Sequence, residues 1–261
     1  MKHLIVIGGA TGSGKTEMAI QVAKQFKCDI ISADSRQIYR GMDIGTAKVK
    51  TEIPQYFTDF LEPHQEYSAG DFERDVMEFL DEYYKNHDYC ILCGGSTLYI
   101  QAVCEGLDEF PKVEKDVEEK VEIIYRNDGI EGLQKLLKEL DPTYYGMVDL
   151  SNPHRIMRAL GVCLTSGKPF SFFRQKKTNP RPFEIHYFWL GWPRKKLYER
   201  IEKRVDFMLE SGWVDEVRNL LHFKSMPALN TVGYKEIIAY LEGNMGWEEM
   251  VNEIKIQTRR Y

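Results

Sequence analysis

Residues Gly9-Ala-Thr-Gly-Ser-Gly14-Lys15-Thr16 meet every fixed position of the pattern G-x-x-x-x-G-K-[ST]. Their flanks leave little choice of fold. Leu4-Ile-Val-Ile7 is a short apolar, β-branched run of the kind that forms a parallel strand buried on both faces. Met18, Ala19, Val22 and Phe26 follow at helical spacing. A strand, a glycine-rich turn and a helix in this order make an anion cradle. The backbone of Gly9, Ala10, Thr11, Gly12, Ser13 and Gly14 wraps the anion, and the helix aims its first amides and positive dipole end at it. Lys15 adds a point charge, and the Thr16 hydroxyl is placed to hold Mg²⁺. A glycine-rich turn with an incidental lysine does not explain these flanks. The loop alone does not say whose phosphates it holds.

Strand and helix signals alternate over the first hundred residues. Strands are expected at Leu4–Ile7, Asp29–Ser32, Phe57–Leu61 and Tyr89–Cys93, with helices after Thr16, over Ala69–Lys85 and over Ser96–Cys104. Ser68-Ala-Gly-Asp71 reads as a capping box. This alternation predicts an α/β fold, a parallel sheet of the P-loop NTPase type flanked by helices, with ligands at the carboxyl ends of the strands. From Lys112 the pattern turns helical: Val113–Arg126, Ile130–Leu140 and a helix opening at Asn152-Pro-His. Phe183–Gly191 returns to a strand. Helices follow at Arg194–Glu210, Val214–Phe223, Thr231–Leu241 and Trp247–Arg260. The expected organisation is a core of residues 1–111 and 184–261, interrupted by a helical insertion over 112–183. At 43% hydrophobic, 261 residues suffice for such a core.

The opening apolar run is too short for a signal peptide, and no run nears the roughly eighteen apolar residues of a membrane span. A cytoplasmic protein with no membrane partner is expected. The five cysteines form no disulfide framework. Cys90-Ile-Leu-Cys93 has C-x-x-C letters, but it lies in a strand pattern and reads as buried, reduced thiols. The six histidines show no zinc-ligand spacing.

The net charge of −5 hides a strong asymmetry. Residues 151–204 carry 13 Lys/Arg against 3 Asp/Glu, whereas residues 1–150 carry 16 against 28. The basic segment is either a solvated helical face or a footprint for a phosphate backbone.

The second strand runs into Ser32-Ala-Asp34-Ser35-Arg36-Gln37-Ile-Tyr-Arg-Gly-Met-Asp-Ile-Gly-Thr-Ala-Lys48. Asp34 sits where a strand's carboxyl end meets the phosphate loop, a good place for proton transfer, for orienting a metal or for capping a helix. The chain here resembles the tRNA dimethylallyltransferases. Gly9–Thr16, Ser32–Lys48 and Gly94-Gly-Ser-Thr-Leu-Tyr99 carry the likeness. So do Asn152-Pro-His154-Arg155-Ile156-Met157-Arg158-Ala-Leu160, Gly212-Trp-Val-Asp-Glu-Val217 and Val232-Gly-Tyr-Lys235. The matching motifs span nearly the whole chain in order.

The resemblance implies transfer of a dimethylallyl group from dimethylallyl diphosphate to N6 of adenosine 37 in tRNAs reading codons that begin with U. Diphosphate leaves, and the anticodon stem-loop is the macromolecular partner. Asp34 is implied as the base, and Ser35, Arg36 and Gln37 as contacts to the target nucleotide. Ser96 stands for a family threonine near the substrate. Arg200 and Arg204, one helical turn apart, are implied to reach the diphosphate, Arg204 first. His154–Arg158 match a tRNA-contacting stretch inside the basic segment. Mg²⁺ on Thr16 is the implied cofactor, and a monomer is expected.

The residues support the chemistry independently. A leaving diphosphate needs the groups that cradle nucleotide phosphates. An exocyclic amine is a poor nucleophile, and a carboxylate that takes its proton improves it. An anticodon-loop base leaves its stack at little cost. Strand Tyr89–Cys93 ends in Gly94-Gly95, without the aspartate of a nucleotide hydrolase.

Some positions depart from the family. The loop reads Ala-Thr-Gly-Ser where Pro-Thr-Ala-Ser is usual, and Glu118 replaces an arginine that touches tRNA in relatives. The family usually continues past Thr258–Tyr261 with a basic, aromatic stretch, so a trimmed chain is the expectation. No two-histidine, two-cysteine finger is present, which points to the bacterial type. Three alternatives remain at this point: an adenylate dimethylallyltransferase, a P-loop small-molecule kinase, and an RNA-binding module with a vestigial loop.

Overall fold

The structure, a computed structural model, describes residues 1–175 and 179–260. Lys176 and Lys177 of the basic segment, Thr178 and Tyr261 lie outside the described residues. The chain divides into two compact units, Met1–Glu105 with Pro180–Tyr261, and Gly106–Asn179.

In the first unit, strands β1 (His3–Gly9), β2 (Ile30–Ser32), β3 (Gln55–Tyr56), β4 (Tyr89–Cys93) and β5 (Glu184–Leu190) form one sheet in the order β3-β2-β4-β1-β5. Every pairing is parallel. Helices α1 (Lys15–Phe26), α2 (Ala69–Tyr83) and α3 (Thr97–Glu105) connect the strands. The central strands are apolar throughout because both faces are covered. Leu4, Val6, Cys90 and Leu92 pack with Phe72, Val76 and Val103 of α2 and α3, whereas Ile5, Ile7, Ile91 and Cys93 pack with Ala19 and Ala23 of α1. This is the period-two alternation of a strand buried on both sides. Ser68 and Asp71 cap α2 reciprocally, as the sequence predicts.

The expected strand Phe57–Leu61 is not formed. Phe57 and Asp59 have φ of 63° and 56°, which turn the chain away from extension. Only Gln55–Tyr56 pairs with β2, and Leu61 bridges Tyr39 in isolation. Helices α8 (Arg194–Glu210), α9 (Trp213–Asn219), α10 (Tyr234–Leu241) and α11 (Trp247–Arg260) complete this unit. Val205, Met208, Trp213, Val217, Tyr234, Ile237, Met250 and Ile254 pack there around Ile38 and Met42. The expected helix over Val214–Phe223 ends at Asn219 and passes into a 3₁₀ turn at Leu221–Phe223.

The second unit contains α4 (Lys115–Leu140), α5 (Pro142–Tyr145), α6 (Pro153–Ser166) and α7 (Phe170–Phe173). The two helices expected either side of Asn127 are present within α4, meeting at a kink at Gly129, whose φ of 65° and ψ of −159° are not helical. Val117, Val121, Leu133 and Leu137 of α4 pack on Ile156, Ala159 and Leu160 of α6. The unit spans 106–179 rather than 112–183. By Arg181 the chain has rejoined the sheet: this residue donates to the Ala102 carbonyl at 2.7 Å, and Phe183 joins the sheet core. Among the described residues no helix is long and apolar enough to cross a membrane.

Candidate active site

The loop leaves the end of β1 and opens α1 at Lys15. Gly14, at its N-cap, has φ of 93°, a left-handed conformation that a side chain would strain. The loop's carbonyls are engaged from one side. Arg200 donates through Nε to the Gly12 carbonyl at 2.8 Å, and Trp192 through Nε1 to the Ser13 carbonyl at 2.8 Å. The Arg200 guanidinium lies 4.8 Å from the centre of the Trp192 ring. Lys15 folds its Nζ onto the carbonyls of Gly9 and Ala10, both at 2.8 Å. Burial pushes Lys15 below the ordinary lysine value, with Arg204 adding to the fall and Cys93 and Asp34 opposing it.

Asp34 follows β2. Its Oδ1 accepts from the Arg36 amide at 2.9 Å, an Asx turn that fixes the carboxylate. The Ser35 amide donates to Ser96 Oγ at 2.9 Å, which ties the ends of β2 and β4 together. Gly94 permits this approach, since a Cβ there would stand 2.1 Å from the Ala33 carbonyl oxygen. Gln37 is held on both ends. Its Oε1 accepts from the Ser32 hydroxyl at 2.8 Å, and its Nε2 donates to the Thr46 carbonyl at 3.0 Å.

A cavity of about 150 Å³ collects Gly9, Ala10, Thr11, Lys15, Thr16, Asp34, Gln37, Ser96 and Arg204, together with Thr46. A larger one, about 620 Å³, is lined by Gly12, Gly14, Lys15, Thr16, Arg200, Lys203 and Arg204. A third, about 100 Å³, holds Thr11, Asp34, Arg36 and Arg204 with apolar Val205, Met208 and Trp213. Arg204 lines all three. Burial draws its guanidinium downward while Asp34 and Glu17 oppose the fall. Arginine stays charged regardless. The site is a cationic phosphate cradle that meets the Asp34 carboxylate and an apolar recess, with Glu17 and Asp43 also lining the larger cavity. Thr16 and Asp34 offer hard oxygen donors, the set that Mg²⁺ takes beside substrate phosphates.

Four contributors were not legible in the sequence. Lys203 and Trp192 are singled out by no pattern, and Thr46 lies in the matched Ser32–Lys48 run without any role there pointing to the site. Glu216 lies within the matched Gly212–Val217 run, yet its role needs the fold: it accepts from the amides of Asp43 (2.8 Å), Ile44 (2.6 Å) and Gly45 (3.1 Å) and from the Tyr234 hydroxyl (2.6 Å). This single carboxylate holds the segment that delivers Thr46. In the second unit, Asn152 caps α6 and Pro153 starts it. His154, Arg155 and Arg158 are exposed there, Met157 is half-buried, and Ile156 is wholly buried. The Ile156 side chain belongs to the core rather than to a surface contact.

The family model for IPP transferase matches residues 37–261. The chain belongs to the IPP transferase family. Among curated members, the tRNA dimethylallyltransferase 1 of Phocaeicola vulgatus is 42% identical over 99% of this chain and 87% of its own. That of Christiangramia forsetii is 44% identical with the same coverage. Solved members of the IPP transferase family share the fold. The tRNA isopentenylpyrophosphate transferase of Bacillus halodurans aligns over 100% of this chain and 84% of its own, with a TM-score of 0.72 and 30% identity. A eukaryotic dimethylallyltransferase captured acting on tRNA aligns over 100% of this chain and 68% of its own, with a TM-score of 0.85 and 26% identity. The parallel sheet with a phosphate loop is thus the IPP transferase architecture.

Proposed function

We propose that this IPP transferase moves the dimethylallyl group of dimethylallyl diphosphate to N6 of adenosine 37 in tRNA, for codons beginning with U, releasing diphosphate. One observation carries the reading: the phosphate loop, Arg204 and Asp34 line one cavity. A nucleotide hydrolase of this fold needs a metal-binding aspartate after the strand Tyr89–Cys93, where Gly94-Gly95 stand instead, whereas the carboxylate that shares the cradle's cavity is Asp34. A prenyl transfer to an amine needs both cradle and carboxylate.

The loop amides, Lys15, Arg200 and Arg204 bind the diphosphate and stabilise the charge that grows on it as the allylic C–O bond breaks. Lys15 Nζ exchanges its two loop carbonyls for phosphate oxygens. Thr16, with Asp34 nearby, would hold Mg²⁺, which would supply further charge neutralisation to the leaving group. Asp34 accepts the N6 proton as the new C–N bond forms. Ser35, Arg36, Gln37 and Ser96 orient the base, Gln37 through its fixed carboxamide. Val205, Met208 and Trp213 offer an apolar surface that excludes water from an allylic carbon prone to hydrolysis. His154, Arg155 and Arg158 contact tRNA phosphates from their own unit. One chain holds Asp34, Arg204 and the loop, so this reading takes a monomer as the working form. A tRNA substrate implies action in the cytoplasm.

The test supplies labelled dimethylallyl diphosphate and Mg²⁺ with either tRNA or AMP. Label in tRNA alone is expected. Label in AMP alone, or phosphate release from ATP without prenylation, overturns the assignment.

A further inference from the structure

His3 and His186 lie at opposite ends of the sequence, yet the sheet sets them side by side. β1 and β5 run parallel with His3 opposite Glu184. His186 comes two residues after Glu184, so it projects from the same face of β5. Three donor atoms meet there. His3 Nδ1 is 3.1 Å from His186 Nε2 and 3.3 Å from Glu184 Oε2, and the last two atoms are 3.8 Å apart. Ligand atoms at about 2.0–2.1 Å from a tetrahedral zinc stand roughly 3.3 Å from one another. The triangle therefore has the size of one face of a zinc tetrahedron.

The surroundings suit such a centre. The His3 side chain is 19% exposed, and its ring stacks on Tyr89 at 5.0 Å with an interplanar angle of 15°. The ring is thereby oriented before any ligand arrives. Glu184 and His186 are 51% and 44% exposed, which leaves the fourth position open to water. Two imidazole nitrogens and one carboxylate oxygen are a donor set for zinc-class ions, not for Mg²⁺ or Ca²⁺, which take oxygen.

We propose that His3, Glu184 and His186 form a site for a divalent transition metal of the zinc class, pinning edge strand β5 to β1. The site is separate from the phosphate cradle. It lies at the first residue of β1, and the cradle begins at the last, Gly9, about 20 Å away at strand rise. It pins the strand that leads to Trp192 and α8, but it supplies no group to the transfer.

The experiment uses the full chain, treated with chelator and dialysed. Cobalt is titrated in, read by visible absorption, and then displaced with zinc. One equivalent of cobalt with the intense d–d bands of four- or five-coordinate nitrogen and oxygen ligation is expected. Zinc should abolish the bands and raise the melting temperature. His186→Ala and Glu184→Gln should each weaken cobalt binding by at least about 10-fold, the smaller loss seen when even outer-shell partners are removed. Both positions are exposed, so folding of these variants is checked by circular dichroism before titration. Prenyl transfer in Mg²⁺ should be unchanged in both. Absence of a stoichiometric cobalt spectrum overturns the proposal and leaves a histidine pair sharing a hydrogen bond. So does a spectrum that persists in both folded variants.

Discussion

Arg200 and Gly12, 188 residues apart, are joined by a hydrogen bond of 2.8 Å from the guanidinium Nε to the loop carbonyl. Trp192 does the same for Ser13 and lies beneath the Arg200 guanidinium. These carbonyls are tied to the segment around α8, and the Ser13 amide turns back onto the Ala10 carbonyl at 3.2 Å, so the loop's shape is fixed both from outside and from within. Trp192→Phe removes one donor and keeps the ring. The loss of about 1 kcal/mol of loop positioning should raise the KM for dimethylallyl diphosphate about five-fold. Steady-state kinetics at saturating tRNA measure it, and an unchanged KM would detach Trp192 from the loop's function.

Asp34→Ala should slow single-turnover prenylation by on the order of 10²–10⁴, the usual worth of a positioned base. Affinity for tRNA, measured by filter binding, should hold. Lys15→Ala and Arg204→Ala should lower the same rate by on the order of 10²–10³, as charge stabilisation on the leaving diphosphate is lost. Near-normal turnover in the Asp34 variant removes it as the base.

Glu216→Ala leaves three backbone amides and the Tyr234 hydroxyl without their acceptor. Burial and Glu216 together raise the Tyr234 hydroxyl above its ordinary pKa, so it stays a donor. A loss on the order of 3 kcal/mol in stability is expected, since hydrogen bonds to a charged acceptor contribute about 1.5–3 kcal/mol each and some amides regain water. Urea unfolding gives the value directly. A shift within experimental scatter would mean that the 43–45 segment is held by Trp213 packing alone.

Alkaline pH should destabilise the fold. Burial pushes Cys28 up to about 11, and Cys93 and Tyr99 up to about 12. Their unperturbed values are 9.0 for the thiols and 10.0 for the phenol. The unfolded chain therefore loses these protons first, and their contribution is whole below about pH 8 and lost as pH climbs from about 9 toward 12. Lys15, lowered by burial, acts in the opposite sense but is a single group. Urea midpoints at about pH 8 and pH 10.5, with the slope m unchanged, test the sign. A midpoint that rises with pH would contradict it.

Much of the fold was readable because its signals are local. The loop, its strand and its helix occupy Leu4–Phe26, and each depends on residues within a turn or two. The Ser68–Asp71 cap is likewise complete within four residues. Phe57–Leu61 misled because apolar spacing carries no record of backbone handedness; the turns at Phe57 and Asp59 come from packing. The placement of Asp34 beside the loop was legible from the rule that ligands lie at strand ends. Glu216 was not, because a carboxylate in a helix reads as surface charge until the amides it meets are known.

The sequence by itself determined the phosphate loop, the carboxylate after the second strand, the helical periodicities and the family. These rest on spacing along the chain, which sterics and hydrogen bonding convert to structure within a few residues. The tertiary structure decided which distant groups share a cavity: Arg204 with Asp34, Trp192 with Ser13, Glu216 with Asp43–Gly45, and His3 with His186. Strand register and helix packing set those neighbours, and both are settled only when the whole hydrophobic core closes.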